Sequence, residues 1–156
     1  MKDVVFDSNI HKWKEDESEF DQLILNKQNL IFLIESHNDI KFGVFISSKI
    51  NKDISDENAF IFTFKDNKPM KFDIKKNKKD FAFLLKDKSD DSLFDIGNYD
   101  IYINKQNIKS SIRQEDRSSF DYKGIENALI GREGFWCFTA KRVMVIQMKE
   151  KLKKKN

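Results

Sequence analysis

The sequence predicts an α+β fold, namely a mainly antiparallel two-layer β-sandwich with one or two flanking helices. Short apolar segments recur at close spacing with polar turn residues between them, which is typical of sheets that pack on each other. Fifteen Phe, five Gly and one Pro among 156 residues indicate a folded chain with an aromatic core. We expect residues 1–148 to form a single domain and residues 149–156 to form a basic, disordered tail.

Two elements are expected near the start of the chain. Residues 4–6 form a short apolar run that predicts a strand, and three turn-forming residues follow it. Between residues 12 and 27 the apolar side chains share one helical face, which predicts the main helix. These side chains are Trp13, Phe20, Leu23 and Ile24. A second short helix is expected around residues 125–129.

The clearest element is a β-hairpin over residues 29–46. Its first arm, residues 30–34, is wholly apolar, the pattern of a strand that is covered on both faces in the middle of a sheet. Residues 36–39 are Ser, His, Asn and Asp, which favour a tight turn. In the return arm we interpret Gly43 as a packing glycine that leaves space for a neighbour.

Later segments predict further strands joined by polar connections. Residues 47–58 are rich in Asn, Asp and Ser and predict a loop. In the next segment large aromatic residues alternate with smaller ones, so we expect Phe60, Phe62 and Phe64 to lie on one buried face. Strands are also expected at residues 70–74, 81–85 and 101–103. The predicted core comprises Leu30, Phe32, Ile34, Phe45, Phe60, Phe62, Phe83, Ile101, Ile103, Val143 and Val145.

The formal net charge of +3 originates at the C terminus. Residues 149–156 hold five Lys and one Glu, so the remainder of the chain carries slightly more acidic than basic residues. Most basic residues are Lys, whereas base readout and bidentate phosphate contacts favour Arg. We expect no specific nucleic-acid partner. Weak, salt-sensitive binding through residues 75–79 and 149–156 is an alternative.

Few residues suggest catalysis. His11 and His37 lie far apart in the sequence, and Cys137 has no histidine nearby, so neither a zinc set nor a thiol dyad is visible. We interpret Cys137, between Trp136 and Phe138, as a small core residue. We therefore predict no catalytic residue, no metal ion and no cofactor.

Two enzymatic alternatives remain open. A redox-responsive thiol at Cys137 needs exposure and a basic neighbour, which Lys141 or Arg142 could supply. A hydrolytic acid–base pair needs two carboxylates that converge in the fold. The candidates are Glu35, Glu57, Glu126 and Glu133. The single cysteine, together with an opening segment that lacks a leader pattern, predicts a reducing, cytoplasmic location.

A characteristic order of segments carries a family resemblance. The segments are residues 29–34, 42–45, 59–64, 96–97, 100–103, 110–111 and 118–120, with a closing strand at 141–146. This order, over residues 4–148, resembles the TLDc domain of oxidation-resistance proteins, which also accompanies TBC or LysM domains. The family-motif positions are Phe42, Gly43, Phe45, Phe60, Phe62, Gly97, Asp100, Ser110 and Ser111.

The resemblance implies a stand-alone TLDc unit that acts by binding rather than by catalysis. TLDc proteins are associated with protection against oxidative stress and with binding of the vacuolar-type proton ATPase, so both roles are implied for this chain. The candidate contacts are the loops at residues 36–39, 97–100 and 110–119, since loops on a rigid scaffold commonly carry recognition.

Overall fold

Two antiparallel sheets form the body of the protein. The computed structural model describes residues 2–64, 67–98, 100–114, 117–125, 128–129 and 134–149. The strands in these ranges are β1 (Lys2–Asp7), β2 (Leu30–Ser36), β3 (Lys41–Ile46), β4 (Asp53–Ile54), β5 (Phe60–Thr63), β6 (Met70–Asp73), β7 (Phe83–Leu85), β8 (Ser92–Ile96), β9 (Ile101–Asn104), β10 (Ser110–Gln114), β11 (Gly134–Phe138) and β12 (Ala140–Met148). The helical elements are α1 (Phe20–Ile24) and a 3-10 helix (Lys76–Phe81).

The strand order divides these elements into two layers. The first sheet has the order β1-β12-β2-β3-β5-β6, and the second has the order β11-β10-β9-β8-β7-β4. The hairpin predicted at residues 29–46 is confirmed as β2 and β3, and β2 lies inside the first sheet between β12 and β3. The α+β sandwich class predicted from the sequence is therefore confirmed.

Aromatic side chains join the two sheets in the core. The ring centroid of Phe32 on β2 lies 4.8 Å from that of Phe83 on β7 and 5.1 Å from that of Phe94 on β8. Phe20 of α1 stacks on Phe94 at 5.3 Å and thereby closes the same cluster. The structure confirms burial for Leu30, Phe32, Ile34, Phe83, Ile101, Ile103, Val143 and Val145.

The predicted burial of Phe45, Phe60, Phe62 and Phe64 is wrong. The first three side chains are only half buried, and Phe64 is 48% exposed. Ile61 and Thr63 are the residues of β5 that face the core. The strand register decides which residues face the core. Residues paired across two strands point to the same face of the sheet, and a shift of one residue exchanges the inward and outward sets. Likewise β2 alternates buried with half-buried positions and is not covered on both faces.

The predicted helix over residues 12–27 is also wrong in extent, since only Phe20–Ile24 is helical. Asp16 adopts a positive φ of 62°, which interrupts a right-handed helix. Lys12 and Glu19 close the preceding segment into a loop: the Glu19 amide donates to the Lys12 carbonyl at 2.9 Å, and the Lys12 amide donates to Glu19 Oε2 at 2.8 Å. The acidic residues between them occupy a loop.

Other segments differ from their sequence-based predictions in smaller ways. The predicted loop at residues 47–58 contains the short strand β4, and Phe81 belongs to the 3-10 helix rather than to β7. Of the predicted helix at residues 125–129, positions 126–127 lie outside the described residues, and 128–129 form a turn. In the predicted tail, Lys149 pairs with Asp3 at 3.0 Å, and the remaining positions lie outside the described residues.

Candidate functional site

A buried aspartate joins two of the loops that the sequence singled out. Asp100, which is 3% exposed, lies at the end of the connection between β8 and β9. Its Oδ2 atom accepts a hydrogen bond from the Ser119 amide at 2.6 Å. In return the Asn98 amide donates to the Ser119 hydroxyl at 3.0 Å. The two loops are therefore one hydrogen-bonded unit rather than separate connections.

Gly97 is required for this loop junction. Its φ is +68°, a left-handed conformation that glycine adopts without penalty. A Cβ atom at this position would also collide with the carboxylate of Asp100. The family-motif positions Gly97 and Asp100 thus form one structural unit, in which the missing side chain of the first makes room for the carboxylate of the second.

The junction contains titratable groups with shifted pKa values. Burial raises the pKa of Asp100 to about 7, and the hydrogen bonds from Ser119 and Ser118 oppose this rise. Burial also raises the pKa of Tyr122, with a further contribution from the charge of Asp100. Asp100 is almost fully enclosed, and its carboxylate restrains the two loops through the hydrogen bond from Ser119.

An open groove of about 330 Å³ adjoins the junction on the outer face of the second sheet. Gly97 and Asn98 line one part, and Asp95, Lys86 and Tyr102 line another. Lys86 Nζ lies 3.2 Å from Asp95 Oδ2, so the most buried acid of the groove is already ion-paired. Burial raises the pKa of Asp95, and Lys86 opposes that rise.

The interpretation of Cys137 as a core residue is wrong, because its side chain is exposed. Cys137 lies opposite Ser111 in the pairing of β10 with β11, on the outer face of the second sheet. It lines an open groove of about 390 Å³ together with His37, Asn38 and Lys109. The fold thus brings a thiol and an imidazole, which are distant in the sequence, to one groove, and the hairpin turn at residues 36–39 forms part of its wall.

The other predicted acid–base candidates are not brought together by the described structure. Glu35 lies on β2, where Lys141 Nζ is 3.8 Å from its Oε1 atom, and Glu57 is an exposed residue of the β4–β5 connection. Glu126 and Glu133 lie outside the described residues. Within the described ranges, no group of three or more His, Cys, Asp or Glu side chains is arranged to hold a metal ion. His11 has a local role, since its Nδ1 atom accepts a hydrogen bond from the Asp7 amide at 2.9 Å.

The remaining motif positions shape the sheets. Phe42 is buried against Phe138, with ring centroids 6.0 Å apart. The buried hydroxyl of Ser110 accepts a hydrogen bond from the Asn104 amide at 2.9 Å and thereby fixes the β9–β10 connection. Sequence reasoning expected a loop from residue 110 onward, whereas residues 110–114 are strand β10. No strong signal marked β10, because four of its five residues are polar. β11 is apolar throughout, and sequence reasoning assigned no strand to it.

Comparison with family models gives a clear result. The TLDc domain model matches residues 9–134, which is most of the 156-residue chain. The chain belongs to the TLDc domain family. No curated protein matches the sequence.

The loop junction lies inside the range of the TLDc match, whereas Cys137 lies outside it. Gly97, Asp100 and Ser119 all lie within the matched range. Cys137 and strand β12 follow the matched range, although β12 pairs with β2 inside the first sheet. Among the helices described for this TLDc domain, none is long and apolar enough to cross a membrane.

Proposed function

We propose that this TLDc domain is a non-catalytic binding module that acts in the cytoplasm, binds the vacuolar-type proton ATPase and contributes to resistance to oxidative stress. Membership of the family supports this role. The structural observation that carries the proposal is the loop junction at Asp100. A loop held in one conformation before binding loses less conformational entropy when a partner docks, which favours recognition over chemistry at this position.

The junction presents exposed polar residues around its buried centre. Asn98 is exposed beside Gly97, and Lys123 is exposed in the segment that follows Ser119. The backbone at Lys123 is held in a local turn, because its amide donates a hydrogen bond to Asp121 Oδ1 at 2.9 Å. These side chains extend from a fixed backbone, so we place the ATPase contact here.

Affinity capture from cytosol and vacuolar membranes tests the proposal. Wild type should recover ATPase subunits, and Asn98→Arg should lose them because a large cation is added to the contact. Asn51→Arg is the matched control, since Asn51 is also an exposed asparagine but lies in the β3–β4 connection. Failure of the folded wild-type protein to recover any ATPase subunit would contradict the proposal.

The exposed thiol supports a second candidate function. In a groove with His37 and Lys109, the Cys137 sulfur is accessible to peroxide. Attack of the thiolate on one peroxide oxygen would form an S–O bond and break the O–O bond, giving a sulfenic acid and hydroxide, which takes a proton from solvent to become water. A redox-responsive protein would then depend on this residue.

Peroxide survival separates the two candidates. Cells that express Cys137→Ala should survive as well as cells with wild type if the binding module alone confers protection. They should lose protection if the thiol is the active group. Cells with Asn98→Arg should show the opposite pattern, because that substitution leaves the thiol intact.

A further inference from the structure

One registered row of side chains crosses four strands of the second sheet and faces outward. Asp53, Leu84, Asp95 and Tyr102 are successive partners on β4, β7, β8 and β9. Residues paired in this way point to the same side of a sheet, and Phe94, which precedes Asp95, belongs to the core. The four residues form the floor of the open groove of about 330 Å³ beside the loop junction.

Negative charge predominates in this groove. Asp53 and Asp95 lie on the floor and Asp80 on the wall, whereas Lys86 is the one cation among the described residues that line it. Ser55 Oγ donates to Asp80 Oδ1 at 3.0 Å and holds that carboxylate in place. Within the described part of the chain, no ion pair neutralises Asp53 or Asp80. Three carboxylates against one ammonium favour a cationic ligand.

The carboxylate of Asp95 is paired through one oxygen only. Asp95 is 6% exposed, and Lys86 Nζ lies 3.2 Å from its Oδ2 atom. Its Oδ1 atom is buried and has no hydrogen-bond partner among the described residues. A buried acceptor without a partner is unfavourable, and native structures rarely contain one without a functional or structural reason. Oδ1 therefore marks a position at which a further hydrogen-bond donor would be bound.

Asp7 shows how this fold completes a carboxylate of equal burial. Asp7 is also 6% exposed, and its two oxygens accept hydrogen bonds from the Arg142 guanidinium at 2.8 Å and 3.2 Å. A guanidinium carries its donors in a planar fork that matches both oxygens of a carboxylate, whereas an ammonium acts as a point charge. The Lys86 ammonium accordingly satisfies one oxygen of Asp95, and a guanidinium would satisfy both.

The apolar residues of the groove suit the rest of an arginine side chain. Leu84 is half buried between the two floor acids and offers apolar surface to an aliphatic stem. Phe81 is 44% exposed on the wall, and its ring already receives a cation, since Lys78 Nζ lies 5.8 Å from the ring centroid. The groove is open and close to the lower limit of about 300 Å³ for pockets that enclose a small molecule, so it suits a single side chain that a partner presents.

We infer that this groove binds an arginine side chain of a protein partner, whose guanidinium displaces the Lys86 ammonium and binds both oxygens of Asp95. Asn98, where we place the ATPase contact, lines the same groove. The inference therefore rests on the proposed binding role and adds to it the chemistry of the partner's side chain.

Titration of the purified protein with short peptides, followed by proton–nitrogen NMR spectra, tests the inference. The probe is the capped tripeptide Gly-Arg-Gly, and the control peptide carries citrulline, the neutral isostere of arginine. The arginine peptide should shift the amide resonances of Gly97 and Asn98 and should bind about tenfold more tightly than the citrulline peptide, because only the guanidinium is charged. Burial raises the pKa of Asp95, so a pH of 8 is chosen to favour its ionised form.

Substitutions in the groove should change the peptide affinity in opposite directions. Asp95→Asn should raise the Kd of the arginine peptide about tenfold, because the charged acceptor is lost. Lys86→Met should lower the Kd about threefold, because a competing cation is removed. Asp80→Asn should raise the Kd about threefold and keeps the test valid if Asp95→Asn does not fold. Asp39→Asn, an exposed turn position whose positive φ asparagine also adopts, is the matched control and should leave the Kd unchanged.

Four outcomes separate the arginine contact from its alternatives. Equal binding of the arginine and citrulline peptides, or weaker binding by Lys86→Met, would overturn the inference. Methylguanidinium that binds as tightly as the arginine peptide would overturn the protein partner and assign the groove to a small guanidine. Capture of ATPase subunits by a protein that does not bind the peptide would overturn the arginine contact alone. Peptide binding without recovery of ATPase subunits would contradict the proposed ATPase function and support the arginine site.

Discussion

The ring of Phe62 lies across Gly43 on the outer face of the first sheet. The two residues are opposite each other in the pairing of β3 with β5, and a Cβ atom on Gly43 would collide with the ring and with the backbone carbonyl of Phe32. An aromatic ring that covers a glycine on a neighbouring strand shields the exposed backbone and compensates for the weak strand preference of glycine. This contact explains why a glycine occupies the interior of strand β3.

The contact predicts that Gly43→Ala destabilises the protein by about 1 to 3 kcal/mol, as expected for overpacking. Part of this loss should disappear in a Phe62→Ala background, because the ring is then absent while the Phe32 carbonyl remains. Urea unfolding of the two single variants and the double variant measures the coupling. Strictly additive effects would show that the ring does not restrain this position.

The buried and outward phenylalanines should differ sharply in stability. Phe32→Ala removes a fully buried ring at the centre of the core and should lower the free energy of unfolding by about 3 to 5 kcal/mol. Phe60→Ala removes a half-buried ring from the outer face and should cost about 1 kcal/mol. Equal losses of unfolding free energy in the two variants, measured by urea unfolding, would show that Phe60 is buried in the core.

Ionisation of Asp100 should make the protein less stable as the pH rises. The pKa is raised by burial to about 7 in the folded state from 3.8. Between these values the folded state holds a proton that the unfolded state has released, so stability is highest below the unfolded pKa and is lost as the pH approaches 7. The difference corresponds to at most about 4 kcal/mol.

Asp100→Asn tests this dependence, because an asparagine cannot ionise but still offers an oxygen to the Ser119 amide. The difference in unfolding free energy between pH 5 and pH 8 should be smaller in the variant than in wild type. Asp95→Asn is the comparison variant, because Asp95 is a second aspartate whose pKa is raised by burial. An unchanged pH dependence in Asp100→Asn would show that Asp100 ionises normally.

The ion pair between Arg142 and Asp7 should make the protein less stable as the pH falls. Arg142 Nη2 donates to Asp7 Oδ2 at 2.8 Å and its Nε donates to Asp7 Oδ1 at 3.2 Å, and this pairing lowers the pKa of Asp7. The resulting stability is present above the unfolded pKa of Asp7 and is lost as the pH falls below it. Arg142→Lys, which cannot form the two-pronged contact, should cost about 1 kcal/mol at pH 7.

Acid titration followed by circular dichroism checks this prediction, with a smaller loss of stability between pH 5 and pH 2.5 expected for Arg142→Lys. Lys141→Met is the control, because its pair with Glu35 is longer, at 3.8 Å, and more exposed. A control variant that loses as much stability as Arg142→Lys would assign the effect to general charge and not to this contact.

The exposed thiol offers a direct check of the fold. Cys137 should react with a maleimide reagent in the native protein at nearly the rate of the unfolded chain, and Cys137→Ser should leave the free energy of unfolding within about 0.5 kcal/mol of wild type. A thiol that reacts only after denaturation would show that Cys137 is a core residue, as the sequence predicted.

The sequence by itself determined the fold class, the β2–β3 hairpin and most of the core, because these depend on local patterns. Five consecutive apolar residues at Leu30–Ile34, followed by turn-forming residues, allow few structures other than a hairpin arm. The same reasoning identified Gly43 as a packing glycine. Local order also carried the resemblance that the TLDc match confirmed.

Only the tertiary structure decided which face of each strand is inside and which distant residues meet. Phe60 and Ile61 are both apolar, so composition could not choose between them, and pairing with Val44 on β3 directs Ile61 inward. Likewise Asp100 meets Ser119, and Cys137 shares a groove with His37, through strand pairings that link distant parts of the chain. Register and long-range contact arise from the packing of the whole chain, and no local window of sequence contains them.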